Sequence, residues 1–98
     1  MEVNDIVTVI AQSGEYVGKF KSSEGGLTLE DPRMILRADD GGMGFARGIA
    51  VTGEENPTSV TFSNYIFVVP TNEKIAGHYQ EATGSIVTPS KTPTIVTT

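Results

Sequence analysis

Apolar and polar positions alternate with a period of two along the first third of the chain, the spacing of a half-buried strand. Asp5–Gln12 is rich in Ile, Val and Thr, and Ser13–Gly14 follows it as a turn pair. In Glu15–Ser22, Tyr16, Gly18, Phe20 and Ser22 share one face, while Glu15, Val17, Lys19 and Lys21 share the other. Ser23-Glu24-Gly25-Gly26 is a second turn, after which Leu27-Thr28-Leu29-Glu30 restarts the alternation. The pattern predicts an antiparallel meander of three strands with short connections.

Beyond it the signal is less regular. Pro32 cannot donate to a ladder, so it predicts an edge or a bend, with Met34–Leu36 resuming as strand. Asp39–Asn56 is rich in Gly and acidic residues around one apolar patch, Phe45–Val51, and reads as a long hairpin returning through Gly41–Gly42. Ser59–Pro70 is the strongest strand signal and is apolar on both faces. Val60, Phe62, Ile66 and Val68 lie on one face, and Tyr65, Phe67 and Val69 on the other. Such a strand is covered on both sides, and in so short a chain a neighbouring subunit is the available second cover. Ile75–Tyr79 admits two readings. A helix would use Thr71 as N-cap and Gly84 as stop. Gly77 would then sit inside the helix at about 1 kcal/mol relative to Ala, and Ile75, Gly77 and Tyr79 also alternate as in a strand. Residues 83–98 are Thr-, Ser- and Pro-rich and read as a tail that orders only if a partner accepts it.

Val7 and Val9, the Ser13–Gly14 turn, Gly18 with Phe20, and Leu27, Leu29 and Asp31 together resemble the first motif of the Sm/LSm (Hfq-like) family of RNA-binding proteins. The resemblance implies an all-β fold: a small, strongly bent five-stranded antiparallel barrel over residues 1–82, with 39–58 as a Gly-rich insertion. It also favours a strand at Ile75–Tyr79, and it implies a homo-oligomeric ring of roughly five to seven copies. Met1–Asn4 is too short for the usual N-terminal helix, which is a departure from the family. In the family, single-stranded RNA is read by a loop after the second strand and a turn before the last, through stacking and base-edge hydrogen bonds. Here those places hold Ser22–Gly26 and Thr71–Lys74, without the stacking residue, the Asn or the Arg-Gly pair. The resemblance leaves Lys21, Ser23, Asn72 and Lys74 as the best RNA-contact candidates, with Arg47 as a further, outside candidate.

Composition narrows the function. The 98 residues carry a net charge of −5, against indiscriminate coating of nucleic acid but compatible with a local basic rim. Cysteine is absent, which removes disulfides and Cys-based metal sites and fits a cytosolic protein. No apolar run is long enough to cross a bilayer, and the opening residues do not resemble a signal peptide. GGMGFARG lacks the Lys-Ser/Thr and the following helix of a phosphate loop. His78, the single histidine, reads as structural, and the acidic pairs Glu30–Asp31, Asp39–Asp40 and Glu54–Glu55 lack ligand spacing. No cofactor and no catalysis are expected. The expected function is a non-catalytic RNA-binding ring in RNA handling or post-transcriptional regulation. The alternative is a structural or assembly module, such as a small phage or virion-associated β-barrel protein.

Overall fold

The computed structural model describes residues 1–84. It is mostly β, with six strands and one helix: β1 (Ile6–Ala11), β2 (Gly14–Ser22), β3 (Leu27–Arg37), β4 (Met43–Ala46), β5 (Ser59–Phe62), β6 (Phe67–Pro70) and α1 (Glu73–Thr83). The strands form one antiparallel sheet in the order β4-β3-β2-β1-β6, with β5 also paired to β3. The meander is present as predicted, and β4 is the return strand of the Gly-rich insertion. The tail expected over 83–98 lies, from residue 85, outside the described residues.

β3 is the strand that shapes the sheet. Leu27–Glu30 pairs with β5 and Met34–Arg37 pairs with β4, so the same edge serves two partners in succession. Between them Asp31 takes φ 52°, uncommon for a residue with a side chain, and Pro32 follows. The Asp31 N–H bonds the Thr58 carbonyl at 2.9 Å, just before β5 begins. The predicted bend is therefore real, and Pro32 occupies the point where the edge changes partner.

The bend creates two apolar clusters. Val7, Val9, Tyr16, Phe20, Leu27 and Leu29 fill the concave side, with Phe62 and Val68 packed against them. On the other side Val17, Ile35, Phe45 and Tyr79 pack with Ile6 and Ile75. Adjacent residues Tyr16 and Val17 go to different clusters, as the pleat requires. At Gly18 a Cβ would lie 3.0 Å from the Leu29 Cβ, so a bare backbone is what lets β2 approach β3 here.

Two expectations need correction. Ile75–Tyr79 is helical. Asn72 rather than Thr71 is the N-cap, its Oδ1 accepting from the Ile75 N–H at 2.8 Å. The Thr71 hydroxyl instead shares a 2.8 Å hydrogen bond with that of Thr8. Gly84, at φ 75°, ends the helix in the left-handed conformation. Tyr79 is fully buried, and burying such a side chain contributes roughly 1.5–3 kcal/mol. That outweighs the roughly 1 kcal/mol cost of Gly77. Ser59–Pro70, in turn, is two strands. β5 belongs to β3 and β6 to β1, so the chain must cross between them through Ser63–Ile66. Ile66, set by the alternation on one face with Val60, Phe62 and Val68, is instead 62% exposed on that crossing.

Tyr79 ties the two sides together. Its hydroxyl donates to the Asp31 carbonyl at 2.7 Å, with the Glu30 carbonyl at 3.3 Å. Its ring meets Phe45 edge to face, centroids 6.1 Å apart. Burial, with help from the Asp31 carboxylate, raises the hydroxyl pKa well above its ordinary 10.0. Above pH 10 the unfolded chain then loses this proton before the folded one does, so stability falls as pH rises. Tyr79→Phe should lower unfolding free energy by about 1–3 kcal/mol at pH 7, measured by denaturant melts. The gap between wild type and variant should narrow above pH 10, because only the wild type carries this ionisation.

Candidate functional site

The four RNA-contact candidates fall at one end of the sheet but in different circumstances. Lys21, next to the end of β2, donates to Asn4 Oδ1 at 2.9 Å and pairs with Glu30 at 3.0 Å. Ser23 is exposed in the β2–β3 turn. Asn72 is exposed, but its side-chain oxygen is committed to capping α1. Lys74 is exposed in the first turn of α1 and has no ion pair among the described residues. Thr71–Lys74 was expected to join the last two strands. It joins β6 to a helix instead, and the link between the last two strands is Ser63–Ile66. Arg47 sits apart, lining a cleft of about 570 Å³ with Met34, Leu36, Ala46, Glu55 and Asn56.

A second basic feature adjoins Arg47. Extending the register Met34↔Ala46 by one residue sets Arg33 opposite Arg47. Arg33 is only 6% exposed, donates from Nη1 to the Pro32 carbonyl at 3.0 Å, and leaves Nε without a partner. Burial lowers its pKa, the Asp31 carboxylate and Tyr79 act against that, and Arg47 adds to the lowering. Neither arginine has an ion pair among the described residues. Arg33 Nε is sealed from solvent, so of the two arginines only Arg47 stands exposed.

The feature with the clearest capacity to act is the outer edge of β6. β1 pairs with one side of β6 through Thr8↔Val69 and Ile10↔Phe67, and the Ile66 N–H extends the ladder to the Ile10 carbonyl at 2.7 Å. Among the described residues nothing pairs with the other side. Around it, Tyr65, Ile66, Phe67 and Val69 are 40%, 62%, 49% and 42% exposed. Asn64, Tyr65 and Ile66 also line a cleft of about 540 Å³ with Gln12, Ser13 and Phe62, and no charged side chain lines it. An open ladder beside contiguous apolar side chains is chemistry for adding a strand.

Among the described residues no group of three metal-ligating side chains comes together, and no helix is long and apolar enough to cross a membrane. The chain matches no family model, no curated protein and no solved structure.

The sequence signal for the β6 edge was the two-sided apolarity of Ser59–Pro70. What it lacked was the break at Ser63–Ile66, which turns the outward residues into an exposed edge. Asn72→Ala should cost about 1 kcal/mol of stability through loss of the cap, seen as a lower melting temperature. If Asn72 acts only as a cap, a variant that restores capping, Asn72→Asp, should recover most of that loss.

Proposed function

We propose that this chain is a non-catalytic assembly module that self-associates through the outer edge of β6. The observation that carries the reading is the group of exposed apolar residues Tyr65, Ile66, Phe67 and Val69 on edge strand β6 and the crossing that leads into it. Monomers keep such edges short, charged or covered; β6 is short but bears no charge, and Pro70 removes only one donor. The bent sheet, with its last strand on β1 and β5 on β3, supports a small barrel of Sm-like type. For that type a closed ring of roughly five to seven copies is the expected assembly, in a cytoplasmic setting.

RNA binding by the same ring is the second reading, favoured by Ser23 and Lys74, which stand exposed at the same end of the sheet. Titration with labelled oligo-U and oligo-A at two salt concentrations tests it. Binding that weakens with salt and falls in Lys74→Ala supports RNA contact, and no binding at low salt removes it.

For assembly, light scattering coupled to size exclusion should give a defined multiple of 10.4 kDa. Val69→Glu should shift the chain towards monomer while changing its stability by less than about 1 kcal/mol, because the side chain is already half exposed. A wild-type monomer at micromolar concentration would overturn the reading.

A further inference from the structure

The tripeptide Ile-Val-Thr occurs three times in this chain, at 6–8, 86–88 and 95–97. The first copy is the start of β1, the strand that pairs with β6 through Val7↔Pro70 and Thr8↔Val69. The sequence β6 already accepts on one side is therefore repeated in the segment that follows α1. We propose that the open side of β6 is completed by Thr94–Thr97 of a second copy of this chain, added as a strand. This rests on the self-association reading and names what enters the edge.

Three observations select this occupant. The first is chemical match. Ile, Val and Thr are β-branched and suit a pleated, half-buried surface. In β1, Val7 turns to the core while Thr8 stands on the outward face beside Val69. By the same alternation an antiparallel addition sets Val96 beside Val68, Ile95 beside Val69 and Thr97 beside Phe67.

Charge is the second. The chain is −5 overall, yet the one charged side chain of residues 85–98 is Lys91. A neighbour that presents this segment brings a cation, and no carboxylate side chain, to an acidic barrel.

The third is reach. α1 starts just after β6 and carries the chain about 16 Å along its own axis. Ile86 follows Gly84 by at most about 7 Å of extended chain, whereas Ile95 has a reach of about 36 Å, enough to meet a neighbouring molecule. Pro89 and Pro93 lie between the two Ile-Val-Thr copies.

The absence of cysteine makes disulfide trapping clean. Directly opposed residues on neighbouring strands have the Cα separation that a disulfide accepts. Full-length Val69→Cys chain is mixed with a mass-tagged full-length Ile95→Cys chain under mild oxidation. The control replaces Ile95→Cys by Asp39→Cys in an exposed loop. The mixed dimer should form at least about tenfold faster than the control, as effective concentration predicts for paired sites. It should also disappear when Val96→Pro is added to the tagged chain. A mixed dimer no faster than the control overturns the proposal. So does a Val69→Cys, Ile95→Cys double variant that closes only within one chain, which would make the segment a cover for its own barrel. Light scattering on the same samples separates the two readings. Oligomers without the cross-link leave assembly standing and remove this occupant, and monomers remove both.

Discussion

The hydrogen bond from the Tyr79 hydroxyl to the Asp31 carbonyl holds the point on which the fold turns. A strand as long as β3 serves two partners on one edge only if it bends between them. At the bend its carbonyls leave the ladder, and burying them without a donor would be costly. Tyr79 supplies that donor from the helix, at 2.7 Å to Asp31 and 3.3 Å to Glu30. Sheet curvature and helix docking are thereby one event. The bend positions β5 and the Ser63–Ile66 crossing, and the crossing leads into β6 and its exposed edge.

Polar strain collects at the same place. Asp31 has positive φ, Pro32 is buried beside it, and Arg33 is buried with Nε unpaired. A buried, incompletely bonded guanidinium costs stability, and a like charge across the ladder adds to that cost. Lys19 and Lys21, on the neighbouring strand, pair with Asp31 at 3.7 Å and Glu30 at 3.0 Å. Both pairs are partly exposed and contribute little individually. Their effect is to engage Lys19 and Lys21, two of the cations at this end of the sheet.

The acidic balance and the β6 edge pull in opposite directions. Like-charged copies repel at long range, and salt screens that repulsion within about 8–10 Å. An edge without charge, Phe67–Pro70, is a part of the surface where copies would meet with little repulsion. Ladder bonds and apolar contact act only at short range, so in the proposed assembly that edge, rather than the charge of the whole, would govern association.

Local pattern alone determined the meander, the turns that join it, the bend at Pro32 and most of the first apolar cluster: Val7, Val9, Phe20, Leu27 and Leu29 were all legible. Each of these follows from period-two alternation or from the chemistry of Gly and Pro, which act over a few residues. The second cluster was not legible, because Val17, Phe45 and Tyr79 become a core only when α1 folds across the sheet. The helix itself was open to two readings, since Gly77 and the alternation of Ile75 and Tyr79 argued for a strand. The place waiting for Tyr79 at the β3 bend decided it. The same holds for Ser59–Pro70: its residues all favour strand, and only the separation of β3 from β1 in space divides it. The candidate RNA residues were placed by analogy of loops, and the tertiary structure gave those loops other neighbours. Side-chain periodicity is fixed by sequence, whereas which carbonyls lack donors and which edges lack partners are properties of the assembled sheet.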